Sequence, residues 1–217
     1  MSSEMLNMLM QSFWETLTMV SISAAIGTVF GLPLGVLLHL TDRQGVLRNT
    51  LVNRVVGMLV NAVRSTPFII LLVLAIPLTR LIVGSSIGTA AAVIPLTLAA
   101  APFIARLVET ALREVERGLI EAAQAMGATT RQIVFKVLLP EAWPGIVAGL
   151  TITFVSLVGY SAMAGAIGGG GLGDLGIRYG YQRYEPVVMW LVVAILIVFV
   201  QLAQSFGDWL VRRLSHK

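Results

Sequence analysis

The run Gly171-Leu172-Gly173-Asp174-Leu175-Gly176 matches the GxGxxG spacing that lets backbone N–H groups approach a dinucleotide pyrophosphate. That chemistry needs a strand before the glycines and a helix after them. Here the run follows a long apolar segment, so the glycines are expected to form a turn or a re-entrant loop. A phosphate cradle of the GxxxxGK(S/T) type is absent, because the only lysines, Lys136 and Lys217, follow Phe135 and His216 rather than glycine. His39 and His216 lie far apart with no third ligand beside them, and the absence of cysteine excludes thiolate metal sites and disulfides. Ser161 has no histidine or lysine at a spacing that would supply a general base. No catalytic residue, metal site or cofactor is therefore expected in this chain.

The chemistry that remains is recognition, and it concentrates between residues 106 and 145. Residues 106–120 read as a helix in which Glu109 and Arg113 form an i,i+4 pair, the pattern of a water-exposed helix. Then follow Glu121, Ala122, Ala123 and, after Met126, Gly127, which can adopt the left-handed conformation that ends a helix. Thr129 with Gln132 fits a capping box that starts a second helix. Pro140 is expected to prevent straightforward continuation beyond Leu139. Alanines at 122, 123, 125 and 128 leave a nearly flat surface, which suits docking against another protein. The alternative is an amphipathic hairpin resting on a membrane surface.

A lipid bilayer must position this segment. Apolar residues make up 57% of the 217-residue chain and charged residues only 12%, with a mean hydropathy of +0.87. A soluble chain of this length still leaves roughly 30% of its unfolded surface wet, too much to hide so apolar a composition. Residues 17–41, 81–105, 142–173 and 186–207 are uncharged, with a shorter run at 65–79. Continuous apolar runs of about 18 or more residues read as membrane-spanning helices rather than as strands of a barrel. The expected fold is all-α and integral to the membrane, a single domain over 1–217. Its five helices fall near 17–38, 57–79, 84–105, 146–167 and 187–206, with a cytosolic loop over 106–145.

Five spans put the termini on opposite sides. Eleven Lys and Arg lie in the 38–57 and 106–145 connections and the C-terminal tail, against Arg80, Arg178 and Arg183 on the other side. The excess predicts an external N-terminus and a cytosolic C-terminus. The net charge of +4 is accordingly a topology signal and not a nucleic-acid footprint. The first fifteen residues contain no Lys or Arg, unlike a cleaved signal peptide, so this N-terminus is expected to be retained. Gly27, Gly31 and Gly35 recur every four residues, which allows two helices to approach closely in lipid, although glycine is also common in membrane helices. Arg64 either reaches the headgroups from just inside the cytosolic boundary or faces a wet cavity. Pro67 and Pro77 bracket the second span and predict local bending.

Glu121-Ala122-Ala123, Gly127 six residues after Glu121, and an apolar stretch ending at Pro140 together resemble the EAA loop of type I ABC-importer permeases of bacteria. Arg64-Ser65-Thr66-Pro67 resembles the Arg-x-Thr-Pro stretch of the amino-acid permeases in that class, and the resemblance runs over about 12–204. It implies an inner-membrane permease subunit, a second copy of itself, two ATPase subunits that hold ATP and Mg, and an external substrate-binding protein. Glu121, Ala122, Ala123, Gly127, Ala128, Thr129 and Pro140 would then form the coupling element that sits in a groove of the ATPase. An amino acid would cross by alternating access, past Tyr160, Ser161 and Met163 with Ser65 and Thr66. Tyr160 and Met163 are three apart and share a helix face, and a Met–aromatic lining suits a thioether side chain. Ordinary helix packing is the other reading of these residues. A gradient-driven carrier or channel and a non-transporting anchor are the competing functions; the first usually needs ionisable groups in mid-membrane. A reporter fused after Lys217 is expected to report a cytosolic location, and activity only outside the cytosol overturns the orientation.

Overall fold

The computed structural model describes residues 3–215 and, among them, is helical throughout, without strands. His216 and Lys217 lie outside the described residues. Helix α1 (Ser3–Thr41) is followed by α2 (Thr50–Ser65), α3 (Phe68–Leu74), α4 (Ile76–Val83) and α5 (Thr89–Arg113). Then come α6 (Arg117–Ala125), α7 (Thr130–Ile133), a π-helical turn (Val134–Leu138) and α8 (Leu139–Ala166). The chain ends with α9 (Gly171–Leu175), a second π-helical turn (Gly176–Gln182) and α10 (Pro186–Leu214).

Among the described residues, α1, α5, α10 and the helix running from Thr130 to Ala166 are each long and apolar enough to cross a bilayer. The second expected span, 57–79, is not one helix. Arms Thr50–Ser65 and Phe68–Leu74 meet at 105°. Pro67 lacks an N–H and drives Thr66 out of the helical region, to φ −81° and ψ 124°, so the bend falls inside the span rather than at its edge. Pro77 then sits in the first turn of α4, where a missing N–H costs nothing.

The glycines of α1 lie against α5. A Cβ on Gly27 would stand 2.7 Å from the Ala100 Cβ, and one on Gly31 or Gly35 would stand 2.6 Å from the carbonyl oxygen of Ala101 or Ala105. No side chain fits, so the two backbones meet directly, and Ser23 donates a hydrogen bond across the seam to the Val93 carbonyl at 3.3 Å. Around this seam Met19, Leu96, Ile104, Val108, Leu138, Ile146 and Leu157 form one buried cluster. In contrast, α10 turns Trp190, Ile197, Val198, Leu202 and Phe206 outward. An apolar surface of that size is what a lipid-facing helix presents.

Three expectations for the polar segment need correction. Helix 106–120 is interrupted: α5 ends at Arg113, and the backbone turns Val115 into the core before α6 begins. Glu109 is not water-exposed but 2% accessible, held by Arg106 at 2.6 Å and Arg113 at 2.7 Å. Arg106 also donates to Asn61 of α2 at 3.0 Å, and Arg113 reaches Asp42 of the α1–α2 connection at 3.3 Å. An i,i+4 pair fixes which residues touch, not which face of the helix they occupy.

Pro140 does not end a helix either. It lies in the first turn of α8, directly after the π-helical turn, where the Leu139 N–H donates to the Val134 carbonyl five residues back. The wider turn accommodates the proline ring, so helical chain continues from Thr130 to Ala166.

Gly31→Leu is expected to cost about 1–3 kcal/mol by overpacking and to lower the unfolding midpoint of the purified protein. Gly118→Ala, in α6 with open space around it, should leave the midpoint unchanged or slightly raised. Glu109→Ala strands two guanidiniums and should cost up to about 3 kcal/mol, the low end for a buried pair because Arg113 is half exposed.

Candidate functional site

The elbow between α6 and α7 is built by local rules. The Ala128 N–H donates to the Ala123 carbonyl at 3.0 Å and the Gly127 N–H to the Gln124 carbonyl at 2.9 Å, the double bond of a Schellman ending. Gly127 has φ +79° with nothing within 4 Å of where a Cβ would be, so its backbone conformation rather than crowding calls for glycine. Thr129 caps α7: its N–H donates to the Gln132 Oε1 at 2.8 Å, and its hydroxyl oxygen accepts from the Gln132 N–H. The result is a fixed turn with two faces.

The inner face holds the elbow to the bundle. Ala123 is 5% accessible and belongs, with Ile133, Val134 and Leu138, to the main buried cluster, against which Ala128 also packs. The outer face carries Glu121, Ala122, Gln124 and Ala125, with Gly127, Thr129 and, further on, Pro140 also exposed. Two large apolar side chains project here that the sequence reading passed over, Met126 at 82% accessible and Phe135 at 62%. Met126 is the last residue before the left-handed glycine, a position that turns a side chain off the helix. Phe135 borders an open hollow of about 450 Å³ with Thr129, Gln132 and the cations Arg131 and Lys136. The outer face thus presents apolar knobs on a small-residue surface rimmed by basic groups.

The five residues expected along a path do not all meet. Tyr160 of α8 stacks flat on Phe68 of α3, centroids 4.6 Å apart and planes 7° apart. Together with Arg64, Thr66 and Phe103 they line a cavity of about 120 Å³. Ser161, one position along the helix, is buried and donates to the Val158 carbonyl at 2.7 Å. Ser65 is exposed and Met163 lies 48% accessible on an uncovered face of α8; neither lines the cavity. Arg64 is therefore a cavity residue, its guanidinium carbon 5.8 Å from the Phe103 ring centre.

The glycine-rich run is a packing device. Gly168, Gly170 and Gly171 all have positive φ, and a Cβ on Gly173 would lie 2.4 Å from the Ala162 Cα. The turn is pinned to α1, where Glu15 accepts from the Gly171 N–H at 2.8 Å and Thr16 from the Leu172 N–H at 2.9 Å.

Comparison with known proteins bears on this arrangement. The model of the family described as binding-protein-dependent transport system inner membrane component matches residues 7–216. A probable D-methionine transport system permease protein MetI of Vibrio cholerae is 56% identical over 211 residues, covering 97% of this chain and 94% of that protein. The D-methionine transport system permease protein MetI of Escherichia coli K12 is 58% identical over 165 residues, 76% of each chain. Among solved structures, a chain of the MetNI methionine ABC transporter in an inward-facing conformation superposes with a TM-score of 0.98 at 54% identity, covering 100% of both chains. A chain of an amino acid ABC transporter crystallised with histidines shares the fold alone, with a TM-score of 0.78 at 21% identity over 96% of this chain and 94% of that one. With the match extending over nearly its whole length, the chain belongs to the family of binding-protein-dependent transport system inner membrane components.

Proposed function

We propose that this chain is the membrane-spanning permease subunit of an ATP-driven importer for methionine. Its α6–α7 elbow is the element gripped by a separate ATPase. The observation that carries the reading is the outward face of that elbow, small and rigid, on a backbone that superposes on the MetNI transporter chain with a TM-score of 0.98. The names of its relatives point to methionine as the cargo.

In this reading two copies of the chain enclose a path that one set of helices is too small to form. Two ATPase subunits hold ATP and Mg, and hydrolysis takes place on them. An external binding protein delivers the amino acid, with the N-terminus outside and the C-terminus in the cytosol. ATP binding draws the ATPases together and carries both elbows along. Because Ala123 and Ala128 anchor the elbow inward while Glu121, Ala122, Gly127 and Thr129 face outward, the motion enters through the outer face and reaches the bundle through the inner one. Pro140 lies at the junction with α8.

Outward-facing Ala122 separates docking from folding better than Ala123, which is part of the core. Ala122→Arg is expected to reduce co-purification of the ATPase and methionine uptake by roughly tenfold or more, as for loss of a central interface contact, with membrane insertion intact. Gly127→Val should do the same by opening the turn. Full uptake by Ala122→Arg, or uptake by the wild type on an ion gradient without the ATPase, overturns the assignment.

A further inference from the structure

We propose that Arg64 is a carboxylate-recognition subsite within the translocation path, taking the α-carboxylate of the passing amino acid. The proposal deepens the importer reading and rests on it.

Depth comes first. Ala99 and Phe103, which line the same cavity, lie ten and fourteen residues beyond Thr89, about 15 and 21 Å along α5 at 1.5 Å per residue. Tyr160 lies six residues before Ala166, about 9 Å from the end of α8. The span expected over 84–105 ends two residues past Phe103, so that wall lies near the cytosolic end while Ala99 and Tyr160 stand deeper, and the cavity runs from that end into the bundle. An arginine that lines such a cavity faces a wet space rather than lipid, as arginines along a substrate or ion pathway do.

Charge comes second. Arg106, Arg113 and Arg178 each pair with a carboxylate. Among the described residues, no carboxylate lies within salt-bridge distance of Arg64. Its guanidinium instead faces the Phe103 ring, which favours a cation without neutralising it. Arg64 also stands in the last turn of α2, where helix carbonyls favour a positive charge. The site thus leaves the hydrogen-bonding fork of the guanidinium free, the geometry that receives a carboxylate through two parallel bonds.

The remaining walls agree. The Thr66 hydroxyl donates to the Ala62 carbonyl at 3.0 Å, so its own oxygen stays available as an acceptor. The Tyr160 hydroxyl makes no hydrogen bond to any described residue, and its ring is fixed by the stack on Phe68. It can donate to a carboxylate held by Arg64, while the Phe103 and Tyr160 rings offer faces to an ammonium or a thioether. The subsite reads the group common to all amino acids.

The test uses the complete transporter, permease with its ATPase and binding protein, in proteoliposomes, and measures methionine moved per ATP hydrolysed. Arg64→Gln is expected to lower that ratio by roughly tenfold or more, the loss typical of a hydrogen bond to a charged group. Arg64→Lys should recover part of it. Tyr160→Phe, which keeps the stack and removes only the hydroxyl, should lower the ratio by a smaller factor; it carries the test if Arg64→Gln fails to assemble. An unchanged ratio in Arg64→Gln, or in Tyr160→Phe if it alone assembles, overturns the proposal. So does a loss of uptake matched by an equal loss of ATP hydrolysis, which would make Arg64 a structural anchor. A wild-type complex that moves no methionine overturns the importer reading and this proposal with it.

Discussion

Direct backbone contact between α1 and α5 is the constraint from which the remaining architecture follows. In lipid, apolar side chains gain nothing by leaving one oily environment for another, so helices hold together through close van der Waals approach and a few polar bonds. Gly27, Gly31 and Gly35 make that approach possible, and the residues opposite them are small or turn their carbonyls to the seam. Once α1 and α5 are fixed, α8 packs on α5 through Gly145 and Gly149, which approach Ala111 and Leu107. The glycine-rich turn after α8 then closes back on Glu15 and Thr16 of α1.

Charged contacts finish the same frame at its other end. Glu109 is buried between two guanidiniums, and through them it ties α5 to Asn61 of α2 and to Asp42 after α1. The amphipathic α2 is held by this contact and by Asn53, which donates to the Leu38 carbonyl of α1 at 2.7 Å, while Leu51, Val55, Met58 and Leu59 all face outward. Polar bonds to α5 and α1 on one side and bare apolar side chains on the other leave α2 attached along a single edge. Arg64 is at its far end.

Features set by neighbours in sequence were legible. The glycine spacing, the turn at Gly127 and the Thr129 capping box each depend on a few adjacent residues, and the structure has them as expected. Features set by orientation were not. Glu109 and Arg113 pair as the spacing predicts, yet only tertiary packing makes Glu109 a buried residue. Tyr160 and Ser161 differ by one position, or about 100° of helix rotation, which puts one in the cavity and the other in the packing. Proline acted in two opposite ways. Pro67 breaks a span because Thr66 before it becomes extended, whereas Pro140 is absorbed by a π-helical turn that no local signal announced.

That absorption has a mechanical consequence. Between Thr130, at the elbow, and Tyr160, beside the cavity, lie thirty residues of unbroken helix, a rod of about 45 Å. With no loop in between to soak up displacement, a push on the elbow arrives at the aromatic stack as tilt or rotation. The weak joint along its length is the stretch from the wide turn at Val134–Leu138 to Pro144, which lacks an N–H for the ladder inside α8. The shape of that joint sets how stiffly the two ends are geared together.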